Sequence, residues 1–221
     1  MSWDTTWEEV YQRQPWGKYP GEDLIRFVAR NFYRMPDRGA VKILEVGCGP
    51  GANLWYMARE GFSVYGIDGS RTAIEMARGR LDAECPGWKG QLWCADLREL
   101  PIEDARMDGV IDNEAACCNP FEESGQIYSE MARVTKPGGK LFSRTFASGC
   151  WGDGTGEPLG RDAWRVAAGP LQGKGLARFT RREDIAGLMG GFRIEEVELL
   201  TRTMAGGTHE VREWLITAVK P

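Results

Sequence analysis

Two hydrophobic periods alternate along this chain. Short apolar and β-branched runs occur at Val41–Val46, Phe62–Ile67, Gln91–Ala95, Met107–Asp112 and Leu141–Phe146. Such runs, ended by glycines or acids, read as strands buried on both faces. Between them lie amphipathic segments. Ala52–Glu60 carries Leu54, Tyr56, Met57 and Ala58. Ser70 can cap a second helix, continuing to Arg80, and Ile127–Val134 supplies a third. Strand and helix in strict alternation predict an α/β fold with a parallel sheet. Two more strands, Phe192–Arg202 and Val211–Val219, are predicted to be joined through Met204–Thr208. Between the fifth strand and this hairpin, residues 147–176 are glycine-rich and aperiodic, and Thr180 can cap a short helix, Arg182–Met189.

Ahead of the first strand the pattern is helical again. Thr5 and Glu8 have the spacing of a capping box. Trp3, Trp7, Val10 and Tyr11 fall on one helical face. Gln14–Gly21 is a turn-rich link. Glu22–Tyr33 resumes a helix on Leu24, Ile25, Phe27, Val28 and Phe32.

The junction after the first strand carries chemistry. Val46 is followed by Gly47, Gly49 and Gly51, then by a helix. Without a Cβ, a glycine turn lets a ligand approach the backbone. Asp68 ends the second strand about 20 residues on, where an acid holds a ribose hydroxyl pair. Gly47, Gly49 and Ala52 also satisfy the dinucleotide fingerprint, which leaves a nicotinamide cofactor open. Glu45, at the strand tip, can meet an ammonium group. Pro50 stiffens the turn and removes an N–H donor.

Glu45-x-Gly47-x-Gly49-x-Gly51 resembles motif I of the class I S-adenosylmethionine-dependent methyltransferases. Lys136-Pro137-Gly138-Gly139-Lys140-Leu141 resembles the turn that precedes the fifth strand of that family. The resemblance implies an α/β fold with a seven-stranded, mostly parallel sheet, an antiparallel last strand, helices on both faces and an N-terminal helical lid. It implies one domain over residues 1–221, with 1–38 as a helical cap and 147–176 as an acceptor-side loop. It implies S-adenosylmethionine as cofactor, bound by Trp16, Glu45, Gly47, Cys48, Gly49, Asp68, Gly69, Ser70, Asp96, Leu97 and Asn113. Of these, the glycine turn would wrap the methionine part, Asp68 would hold the ribose and Asp96 the adenine amino group. Asn113–Pro120 corresponds to motif IV, beside the transferred methyl, and Tyr11, Trp16 and Tyr19 would close over the donor.

The charge balance narrows the partners. The 221 residues carry a net charge of −4, with no Lys/Arg block, which argues against nucleic acid. No run reaches the roughly 18 apolar residues of a membrane span, and the start is too polar for a signal peptide. Six cysteines with no C-x-x-C pair read as reduced thiols of a cytoplasmic protein. Cys117, Cys118, Cys150 and His209 fit no zinc spacing, so no metal is expected.

A small-molecule acceptor is expected, methylated on oxygen, nitrogen or sulfur. Three residues are candidates for its chemistry. His209, the only histidine, suits proton transfer near neutrality. Glu114 can act as a base or bind an amine. Arg144, inside the fifth strand, either pairs with a carboxylate or points at an acidic acceptor. Asn119 and Trp151 complete the expected acceptor lining. A nicotinamide-dependent oxidoreductase and a non-catalytic S-adenosylmethionine-binding domain are the alternatives.

Overall fold

The computed structural model describes residues 4–221. Trp3, assigned to the first helical face, lies outside the described residues. Seven strands form one sheet in the order β3-β2-β1-β4-β5-β10-β9. They are β1 (Lys42–Val46), β2 (Ser63–Asp68), β3 (Gly90–Cys94), β4 (Met107–Asn113), β5 (Thr135–Phe146), β9 (Arg193–Met204) and β10 (His209–Val219). β1 pairs in parallel with β2 and β4, and β10 pairs antiparallel with both β5 and β9. Only the last strand therefore runs against the rest, as expected.

Successive strand residues feed opposite faces, because side chains alternate along a strand. Ile43, Ile111, Phe142 and Leu215 pack with α2 (Glu22–Phe32), α3 (Ala52–Arg59) and α4 (Arg71–Glu84). Leu44, Val110, Leu141 and Ile216 pack with α5 (Phe121–Val134) and α6 (Ile185–Leu188). No helix among the described residues is long and apolar enough to cross a membrane. All six cysteines are free thiols.

Several local expectations are corrected. The second N-terminal helix is a layer of the core. Leu24, Phe27, Val28 and Phe32 are buried, the Phe27 ring lies 5.3 Å from that of Phe142, and Phe32 fills the space over Gly109. Only α1 (Thr6–Arg13) and the link after it lie over the strand tips. The capping box is not formed: Thr5 makes no side-chain cap, and Glu8 instead accepts from the Ser70 and Thr72 hydroxyls of α4. Residues 147–176 are not wholly irregular. β6 (Glu157–Gly160), β7 (Ala163–Arg165) and β8 (Ala177–Arg178) form a small antiparallel sheet. The Pro-Gly-Gly turn is a bulged opening of β5, with Gly138 in the left-handed region at φ 76°. The Thr180 hydroxyl caps nothing and accepts from the guanidinium of Arg178.

Candidate active site

A cavity of about 290 Å³ lies at the carboxyl ends of β1, β2, β4 and β5, the edge where open α/β sheets bind ligands. Its floor is the glycine turn. Gly47 has φ 62°, and a Cβ there would stand 2.2 Å from the Ala115 Cβ. Gly49 has φ 50° and lies under the Tyr11 hydroxyl. The turn is fastened by Asp68, whose carboxylate accepts from Gly49 N at 2.9 Å and Ser70 N at 2.8 Å. Burial raises the Asp68 carboxyl to about 6, against the pull of those two bonds.

Glu45 is 2% exposed. One of its oxygens accepts from Asn53, and the other, Oε2, is buried with no partner. Burial lifts this carboxyl to about 8, and the charges of Asp68 and Asp112 add to the shift. A buried carboxylate oxygen left unpaired is costly, and Glu45 faces the cavity. Asp96 also lines the cavity, but its carboxylate is gripped by Arg98, through Nε at 3.0 Å and Nη2 at 2.8 Å. These bonds hold it below the usual carboxylate range. The adenine amino group expected there would meet an already bonded carboxylate.

Asp112, fully buried, builds the loop after β4. It accepts from Ala115 N, Ala116 N, the Tyr128 hydroxyl and the Ser143 hydroxyl, at 2.7–3.0 Å. That loop carries Glu114 in the left-handed region at φ 65°, where a non-glycine residue is strained. The Glu114 side chain lies 3.1 Å from Arg144 Nε and hydrogen-bonds Glu213 of β10. Arg144 gives its Nε and Nη2 to Glu213, at 2.9 and 2.5 Å. Burial and the neighbouring Glu213 push Glu114 well above the carboxylate range. The bonds from Glu114 and Arg144 keep Glu213 below it. The two carboxyls therefore share a proton beside the half-buried Arg144 guanidinium.

Two segments roof the cavity. Trp7, Tyr11 and Trp16 form an aromatic triangle with centroids 5.5–5.8 Å apart. From the other side come Pro170, Leu171 and Lys174, whose ammonium sits 5.1 Å from the Trp16 ring. Asp4 ties the two together, accepting from Thr6 N at 3.0 Å and Leu176 N at 2.9 Å.

Of the residues singled out from sequence, Trp16, Glu45, Gly47, Cys48, Gly49, Asp68, Gly69, Asp96, Leu97, Asn113, Glu114, Asn119 and Arg144 line this cavity. Three do not. The buried Ser70 hydroxyl is committed to Ala73 N and Glu8. His209 stacks on Trp151 at 4.2 Å, away from the cavity. The reason is register. β5 ends at Phe146 opposite Glu213, so His209, four residues further, lies on a hairpin that has outrun the sheet. Of the two alternatives for Arg144, pairing with a carboxylate is the one observed, and Glu213 takes the Nε–Nη2 edge of its guanidinium. Glu213 itself was missed. Its signal was an acid on the same stripe as buried Val211 and Leu215.

Comparison with known proteins agrees with this geometry. A family model described as a methyltransferase domain matches residues 43–139. The malonyl-acyl-carrier-protein O-methyltransferase of Pseudescherichia vulneris is 30% identical over 168 residues, covering 75% of this chain and 61% of that relative. A structure solved for the conversion of a disulfide bond into a thioacetal group during echinomycin biosynthesis superposes with a TM-score of 0.71. It is 20% identical, over 98% of this chain and 91% of the other. The 1,6-didemethyltoxoflavin-N1-methyltransferase of Burkholderia thailandensis, solved with its substrate and S-adenosylhomocysteine, gives 0.65 at 17% identity, over 90% of this chain and 78% of the other.

Proposed function

We propose that this chain, which belongs to the class I S-adenosylmethionine-dependent methyltransferase family, transfers a methyl group to a nucleophilic oxygen, nitrogen or sulfur of a small polar molecule. The observation that carries the reading is Glu45 Oε2, buried and unpartnered at the glycine turn. It is placed to receive a cation, and the amino-acid end of the cofactor has one. When bound, S-adenosylmethionine supplies a methyl carbon already activated by a sulfonium.

The chain's own part is to bind, orient and keep water out. Glu45 would take the ammonium and Asp68 the ribose hydroxyls. Leu97 and Asp96 face the adenine end. On the acceptor side stand Glu114, Asn119, Lys174 and the Nη1 corner of Arg144, which Glu213 does not use. Lys174 with that corner suits an acceptor carrying an anionic group. Glu114, paired with Glu213, can exchange a proton with an acceptor hydroxyl or amine. Trp7, Tyr11 and Trp16 cover the reaction. The reading treats residues 1–221 as one working unit.

Calorimetry with S-adenosylhomocysteine tests it. The wild type should bind, and Asp68→Ala should lose at least about tenfold in affinity, since charge-assisted hydrogen bonds go. Equal affinity of the two proteins, or binding of a nicotinamide dinucleotide instead, overturns the proposal.

A further inference from the structure

The sheet has two edges, and they are unlike. β3 is a five-residue strand, the short kind that leaves little to pair with. β9 runs for twelve residues. A register shift leaves Glu195 unmatched near its start, and from Glu196 onward it pairs regularly with β10. No described strand pairs with its outer side. The run Glu196–Thr203 contains no proline and no bulge. About half its residues direct both N–H and C=O away from β10, as in any strand.

The side chains on this edge are also out of keeping with solvent. Leu199, Leu200 and Met204 are 41%, 36% and 38% exposed, three of the large apolar side chains that stand out among the described residues. Beyond its start, where Arg193 and Glu195 pair with each other, the strand is polarised: Glu196 and Glu198 lie in its first half and Arg202 in its second. A segment acidic at one end and basic at the other complements itself when laid antiparallel on its own copy.

We propose that β9 is the seam of a two-fold homodimer, in which Val197–Thr203 pairs antiparallel with the same segment of a second copy and the sheet continues across both. A two-fold axis normal to the sheet keeps each residue on its own face, so only even-sum registers are allowed. Centring on Leu200 sets it against its twin. It puts Glu198 opposite Arg202 of the other copy twice, and Val197 opposite Thr203 twice. Centring on Leu199 would also give an acid–base match, Glu196 with Arg202, but it would set Leu200 against the Glu198 carboxylate twice. The Leu200 register therefore joins apolar to apolar and acid to base, the pairings that stabilise neighbouring strands. Glu198 also borders a groove beside α2 that holds Arg26 and Arg30. The seam lies next to basic side chains that can approach the second copy.

Sedimentation velocity on the full chain across the micromolar range tests the seam. The expected species has twice the mass of the 24.7 kDa chain. Arg202→Glu sets like charges opposite each other at two symmetric places, so dimer affinity should fall about tenfold or more. Glu198→Arg should do the same, and the double reversal should restore association. These side chains lie on the surface, so far-UV circular dichroism should stay unchanged. A wild type that is monomeric throughout overturns the proposal. So does a dimer indifferent to both single reversals, or a folded double reversal that stays monomeric.

Discussion

Replacing Glu45 by Gln should make the cofactor-free protein more stable and the site worse. The Glu45 carboxyl has an ordinary value of 4.5 and is lifted to about 8 by burial. An acid raised in the folded state binds its proton more tightly there. Its contribution is complete below 4.5 and is lost as pH rises toward 8. Between about pH 5 and about pH 8 this single group removes roughly 3 kcal/mol from folding stability. Glutamine has no such titration and keeps an acceptor for Asn53. In a chain of this size each kcal/mol is worth about 2–4 °C in Tm. Glu45→Gln should therefore melt several degrees above wild type near pH 8, with little difference near pH 5. The same change removes the carboxylate meant for the ammonium, so S-adenosylhomocysteine affinity should fall about 10- to 100-fold. Differential scanning calorimetry of the cofactor-free proteins and titration calorimetry read the two effects. Parallel pH profiles of Tm for the two proteins, or unchanged ligand affinity, would refute the assignment of Glu45 as a buried, cation-seeking carboxylate.

Two further outcomes are expected. Asp112→Asn replaces one acceptor oxygen by a donor amide in the network of Ala115 N, Ala116 N, Tyr128 and Ser143. It should cost roughly 2–4 kcal/mol in urea unfolding, since buried partners are left unsatisfied; a loss under about 0.5 kcal/mol would contradict this view of the loop. Asp4→Ala removes the bonds to Thr6 N and Leu176 N. Amide exchange should speed up at residues 170–176 while β1 and β4 stay protected, and unchanged exchange there would show that the two roof segments are not tied through Asp4.

The parallel half of the sheet was legible because its signals are local. A buried strand, a glycine turn and an amphipathic helix each show within ten residues, and Glu45, Asp68 and Asp96 stand at strand tips fixed by those signals. What failed depends on distance through space. β6, β7 and β8 are two to four residues long, too short for any period to show. Glu8 sits at a capping-box position, yet Ser70 and Thr72 offered it two hydroxyls from across the fold. α2 is amphipathic whether it covers a ligand or a sheet, and only Gly109, open to the Phe32 ring, decides for the sheet. His209 depended on how far the last hairpin outruns β5. Glu213 alone was within reach of pattern reading, as an acid on a buried stripe opposite a strand that contains Arg144.

The roof of two segments meeting at Asp4 has a kinetic corollary. Tyr11 stands directly over Gly49, so whatever lies along the glycine turn sits beneath the aromatic triangle, while Glu114, Asn119 and Arg144 face the neighbouring wall. A guest lying along the turn would then be covered by a guest at that wall, so donor-first binding is the expected order, and inhibition by S-adenosylhomocysteine that is competitive against S-adenosylmethionine and not against the acceptor is the pattern that checks it.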